Sequence, residues 1–149
     1  MKVSRIDHVA IAVPDIDQAV AALGPLELTP GAATELVAAQ RTLAVLIPVG
    51  ETSIELIAPA GNEGLTRYLE KRGAGVHHIC LMVEDLPAAL AELKARGVRL
   101  IDEAPRVGAR GHLTAFIHPS ATSGVLFELC EEAPPGAGPP SNPAPARGA

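Results

Sequence analysis

Two stretches of this chain are near copies of one another, and that duplication limits the folds open to it. Ile6-Asp7-His8-Val9-Ala10-Ile11-Ala12-Val13-Pro14-Asp15 returns seventy residues later as Val76-His77-His78-Ile79-Cys80-Leu81-Met82-Val83-Glu84-Asp85. A second pair follows at an offset of 73: Ser53-Ile54-Glu55-Leu56 and Leu126-Phe127-Glu128-Leu129. Each half-chain therefore supplies one His and one Glu, 47 residues apart in the first half and 50 in the second. The period is too long for a solenoid repeat. A duplicated module with a site between its halves fits better.

The order of elements repeats as well. Residues 3–13 alternate and are β-branched, as a strand does. Asp15 then caps a short helix that stops at Gly24. Leu26–Leu28 reads as a brief strand, and residues 30–39 as irregular. Residues 41–49 and 51–58 form two apolar runs joined at Val49-Gly50-Glu51, a hairpin signal. Asn62 opens a linker helix over 62–73. The second half gives a strand over 76–83, a helix over 86–96 with Leu86, Ala89, Leu90 and Leu93 on one face, and a short strand over 98–101. A loop rich in Pro and Gly follows, then a hairpin of 112–118 with 125–130. The prediction is an α+β fold of two paired βαβββ modules, about 3–60 and 74–132, forming a curved mixed-sheet cup. Residues 1–132 make one domain, and the Pro/Gly/Ala-rich tail 133–149 is expected to be disordered, because it has too little apolar surface to offset its ordering entropy.

Side chains alternate across a strand. His8, Ala10 and Ala12 share one face, as do His78, Cys80 and Met82, and Glu128 and Cys130. Curling the halves together would bring His8, Glu55, His78 and Glu128 into the cup. A Glu inside an apolar strand needs a partner, because an unpaired buried carboxylate is costly. Two imidazoles and two carboxylates suit a divalent cation such as Co²⁺, Zn²⁺, Ni²⁺ or Mn²⁺, and they balance its charge. Such an ion leaves positions open to two substrate oxygens, where it stabilises an enolate. His77 falls on the opposite strand face and reads as a packing or surface residue. Cys80 and Cys130 read as reduced, buried filler, which points to a cytoplasmic protein. With a net charge of −5 and no basic run, the chain is not expected to bind nucleic acid. It has no apolar run of membrane-spanning length.

These segments resemble the vicinal oxygen chelate superfamily and, within it, the methylmalonyl-CoA epimerase family. The specific matches are Gly75-Val76-His77-His78-Ile79-Cys80, and His118-Pro119-Ser120 followed by Gly124-Val125-Leu126-Phe127-Glu128-Leu129. The resemblance implies a homodimer, an acyl-CoA substrate and a place in propionate metabolism. It also implies metal-dependent interconversion of (2R)- and (2S)-methylmalonyl-CoA through a chelated enolate. The metal ligands fall on His8, Glu55, His78 and Glu128; in this chain Glu128 is read as ligand and base, with Glu55 or a bound water serving the other face. Some members carry a further catalytic carboxylate at the position of Ala44, which has no acid to offer. Gln40, Arg106, Arg110 and His118 are the candidate substrate contacts. Glyoxalase I uses the same fold and a comparable ligand set, but Glu55 continues into Leu56-Ile57-Ala58-Pro59 as in the epimerases. A non-enzymatic binding protein of this fold would line the cup with aromatic residues, and this chain has two Phe, one Tyr and no Trp.

Overall fold

The computed structural model describes residues 1–136. The first module comprises β1 (Val3–Ala12), α1 (Ile16–Leu23), β2 (Glu35–Val37), β3 (Thr42–Val49) and β4 (Thr52–Pro59). Helix α2 (Glu63–Arg72) links it to the second, made of β5 (Gly75–Val83), α3 (Leu86–Ala95), β6 (Arg106–Val107), β7 (Leu113–Ile117) and β8 (Phe127–Glu131). The helix starts follow the sequence signals. Asp15, Asn62 and Asp85 each accept a backbone N–H three residues on, from Gln18, Leu65 and Ala88, as N-caps do. Gly73 ends α2 with a positive φ of 73°.

All eight strands form one curved, nearly closed sheet in the order β2-β3-β4-β1-β5-β8-β7-β6. Within each module the first strand runs parallel to the last, β1 with β4 and β5 with β8. The modules meet where β1 and β5 pair antiparallel. A local two-fold axis therefore passes between those two strands.

Helices α1 and α3 cover the outer face. In the first module Ile16 of α1 packs with Val13, Val45, Ile47, Leu56 and Ala58. In the second, Leu86, Ala89, Leu90 and Leu93 of α3 pack on Val83, Ala115, Ile117 and Leu129. Each fully buried leucine contributes roughly 1.5–3 kcal/mol. On the inner face Leu65 of α2 joins Ala10, Ala12, Val37, Ala44 and Ile57. No helix among the described residues is long and apolar enough to cross a membrane.

Three sequence expectations are corrected. The brief strand over 26–28 is replaced by a 3-10 turn, Gly24–Leu26, with Pro25 inside it. Proline has no N–H to give a ladder. The stretch 30–39 contains a real strand, β2, which pairs with β3 from Glu35↔Ala44 to Val37↔Thr42. The strand over 98–101 shrinks to a single bridge, Leu100↔Ile117, and its place as second strand of the module goes to β6. Residues 133–136 carry neither helix nor strand, and the rest of the expected disordered tail, 137–149, lies outside the described residues.

Candidate active site

The site is built on strand register. Ala10, two residues past His8, stands beside Glu55 on β4. Cys80, two residues past His78, stands beside Glu128 on β8. The same step in both modules places one His and one Glu at equivalent points about the local axis. The histidines come from the inner strands β1 and β5, and the carboxylates from the flanking strands β4 and β8. All four residues are buried, at 4–5 % exposure.

Their tips meet. His8 Nε2 lies 3.1 Å from Glu55 Oε2 and 3.3 Å from Glu128 Oε2. His78 Nε2 lies 3.0 Å from Glu128 Oε2 and 3.9 Å from Glu55 Oε2. The two Nε2 atoms are 3.3 Å apart. Ligand bonds of 2.0–2.2 Å put neighbouring donors roughly 3.0–3.6 Å apart around one ion. The donor set therefore fits a divalent cation in both chemistry and spacing. All four residues expected from the sequence are brought together.

Each histidine has a second partner that orients its ring, as metal-ligating histidines usually do. His8 Nδ1 faces Asp7 Oδ2 at 2.9 Å. Asp7 is 3 % exposed and pairs with Arg110 at 2.5 Å and with Arg5 at 3.4 Å. Burial disfavours the Asp7 charge, but the His8 hydrogen bond and the Arg110 guanidinium outweigh it and hold the carboxyl well below the usual range. His78 Nδ1 faces His77 Nδ1 at 2.9 Å. Burial and the neighbouring His78 push the His77 imidazole down to about 4, so His77 stands neutral against the His78 ring. With Nδ1 engaged by His77, His78 Nε2 faces Glu128 Oε2 at 3.0 Å.

Burial opposes a proton on His8, yet hydrogen bonds to Asp7, Glu128 and Glu55 push it up to about 12. Burial likewise opposes the Glu128 charge, but hydrogen bonds to His78 and His8 keep it ionised, well below the carboxylate range.

Above the cluster opens a cavity of about 470 Å³, whose wall includes Gln40, Arg41, Ala44, Asn62, Arg106 and Phe116. Ala44 sits on this wall opposite Ile57. Its counterpart in the second module is Thr114, opposite Cys130. Neither position supplies an acid. Gln40 reaches the wall through a 3.4 Å bond from Nε2 to Thr114 Oγ1. Arg106 also lines the cavity and pairs with Asp102 at 3.3 Å. Arg110 lines it too, but its guanidinium is committed to Asp7. His118 does not line the cavity; its Nδ1 accepts the Ser120 backbone N–H at 3.1 Å and caps the turn Pro119–Ala121.

Sequence reasoning missed Asp7, His77 and Arg41. Asp7 and His77 adjoin the predicted ligands, so the rule that ligating histidines carry second partners could have found them. His77 was expected on the far strand face, but its ring turns onto His78 and Tyr68, with centroids 5.2 and 4.8 Å away. Arg41 lines the cavity and makes no ion pair among the described residues.

The profile of the glyoxalase/bleomycin resistance protein/dioxygenase superfamily matches residues 7–116, and the chain belongs to that superfamily. The chain is 39% identical over 135 residues to the ethylmalonyl-CoA/methylmalonyl-CoA epimerase of Cereibacter sphaeroides, covering 85% of this chain and 97% of that one. It is 35% identical over 127 residues to the human mitochondrial methylmalonyl-CoA epimerase, covering 84% and 72%. The crystal structure of methylmalonyl-CoA epimerase from Mycobacterium tuberculosis superposes with a TM-score of 0.83 at 35% identity, over 89% of this chain and 90% of that one. A Ser-to-Thr variant of the Streptomyces coelicolor methylmalonyl-CoA epimerase in complex with 2-nitronate-propionyl-CoA gives 0.84 at 30% identity, over 89% and 96%. Within the superfamily the chain is therefore a member of the methylmalonyl-CoA epimerase family.

Proposed function

We propose that this chain is an isomerase that interconverts (2R)- and (2S)-methylmalonyl-CoA by moving the C2 proton. One observation carries the reading: two equivalent carboxylates, Glu55 and Glu128, flank a buried histidine pair from opposite sides of a local two-fold axis. That arrangement serves epimerisation, in which a proton leaves one face of a carbon and another arrives at the opposite face. The residue set on the cavity floor is nearly symmetric, and so is the task.

His8, Glu55, His78 and Glu128 would hold a divalent cation; Co²⁺, Zn²⁺, Ni²⁺ and Mn²⁺ all suit the donors. When bound, the cation supplies Lewis-acid stabilisation of the charge that develops on the thioester oxygen. Glu128, kept ionised by its imidazole neighbours, accepts the C2 proton from one face. Glu55 serves the other face, directly or through a water, in place of the acid that Ala44 lacks. Asp7 and His77 keep the imidazole rings in register. Ala44 and Ile57 keep the floor beside Glu55 apolar, which strengthens charge interactions there.

Arg41 and Arg106 at the cavity wall are the candidate contacts for the acyl-CoA phosphates, with Gln40 facing the acyl group. A homodimer in the cytoplasm completes the proposal. Its support is the two free, buried cysteines and the apolar residues Val3, Ile6 and Val76, which stay 41–60 % exposed on β1 and β5.

The test is to load the purified chain with Co²⁺ and supply one epimer of methylmalonyl-CoA. The epimer ratio should approach unity, and a chelator should abolish the change. The methylglyoxal–glutathione hemithioacetal should not turn over. If it does and methylmalonyl-CoA does not, the chain belongs with glyoxalase I in function.

A further inference from the structure

β2 and β6 are the two ends of the strand order, and the turn after β6 joins them. The Arg110 backbone N–H donates to Glu35 Oε2 of β2 at 3.0 Å. Ala109 packs against the cluster of Val37, Ala44 and Ile57. Arg110 itself has a left-handed backbone, φ 61°, which costs a non-glycine residue free energy and persists only where contacts hold it. Its side chain supplies one. The guanidinium, 39 % exposed, reaches the 3 % exposed Asp7 carboxylate and binds Oδ2, the oxygen that also meets His8 Nδ1.

We propose that Arg110 is a positioning residue for the metal centre. By clamping Asp7 Oδ2 it fixes the plane of the carboxylate, and with it the His8 ring that must present Nε2 to the cation. The contact also ties the 109–111 turn, a wall of the cavity, to the ligand set. Closing that wall and binding the cation then favour one another, and the coupling is reciprocal. This inference rests on the four-residue metal site proposed above and not on the identity of the substrate.

Arg5 offers the competing explanation. It also reaches Asp7, but at 3.4 Å, on the other oxygen, and while shared with Glu132 at 3.1 Å. If Asp7 needs only a nearby positive charge, Arg5 would suffice.

Co²⁺ affinity is measured by chelator competition, with the cobalt absorption spectrum as a second readout, in the wild type, Arg110→Gln, Arg110→Lys, Arg5→Gln and Asp7→Asn. Removal of a partner that orients a metal ligand weakens metal binding about 10–100-fold. Asp7→Asn should fall in that range. Arg110→Gln, one bond further out, should lose about 10-fold and shift the spectrum. Arg110→Lys should recover part of the loss, since it restores the charge without the planar fork. Arg5→Gln should lose less than about threefold, because its contact with Asp7 is long, at 3.4 Å, and is shared with Glu132, and a loosely held ion pair contributes little. Amide exchange at 109–111 should slow on Co²⁺ loading in the wild type and not in Arg110→Gln. Arg110→Gln binding within about twofold of the wild type with an unchanged spectrum overturns the inference. So does Arg5→Gln losing as much as Arg110→Gln. A wild-type chain that binds no cobalt at all refutes the metal site itself, a separate failure.

Discussion

Glu128→Gln should disable one direction of proton transfer and spare the other. The substitution keeps the shape of the side chain and an oxygen donor, but it removes the charge that now lies 3.0 Å from His78 Nε2 and 3.3 Å from His8 Nε2. A positioned general base contributes about 10²–10⁴ in rate. The site is buried and Glu128 is held ionised, so a loss of about 10³ is expected, about 4 kcal/mol at 1.36 kcal/mol per decade. Epimerisation needs both carboxylates and should fall by that factor in Glu128→Gln and in Glu55→Gln alike. Exchange of the C2 proton with solvent needs only one. In D₂O each cobalt-loaded variant should still exchange the C2 proton of one epimer without inverting it, and the two variants should favour opposite epimers. The assay is proton NMR of each epimer, with metal content measured in the same samples. Equal loss of exchange from both epimers in a variant that keeps its cobalt would refute the two-sided assignment. It would place both transfers on one carboxylate.

Three further outcomes are expected. Cobalt binding at pH 7 should expel about one proton per ion, read by calorimetry in buffers of different ionisation enthalpy, because the metal-free His8 is protonated far above its ordinary value and a ligand must give up its proton. The sign is fixed: affinity should rise about tenfold per pH unit below the raised His8 value, and pH-independent binding between 6.5 and 8.5 would contradict it. Leu90→Ala removes a 3 % exposed side chain from the α3 face and should cost about 3 kcal/mol, or about 10 °C in Tm, while leaving cobalt affinity unchanged. Arg41→Ala should raise KM for the acyl-CoA severalfold with kcat nearly intact, and the KM difference should shrink at high salt as surface charges are screened.

The duplicated His and Glu were legible in the sequence because strand register carries them. Each Glu pairs beside the residue two past its His, so a repeat in sequence becomes a symmetry in space. The caps at Asp15 and Asn62 and the hairpin at Gly50 were legible because their chemistry is local. β2 was not, because a three-residue strand in an Ala-rich stretch has no periodicity to read and exists only by pairing with β3. The segment 98–101 has strand-like residues, yet β7 pairs with β6 through Thr114 and Leu113, which leaves Leu100 a lone bridge. Arg110 and His118 were picked by location in the chain. Their roles turn on partners 103 and 2 residues away, so one is bound to Asp7 and the other folds back onto its own turn.

The most direct test measures cobalt content and epimerisation side by side in the wild type, His8→Ala and His78→Ala. Each substitution removes one ligand from one module. One site assembled from both halves should bind one ion per chain in the wild type and lose both the ion and the activity in either variant. A variant that keeps its ion and its full rate of epimerisation would contradict a shared site and leave the chemistry to a single module.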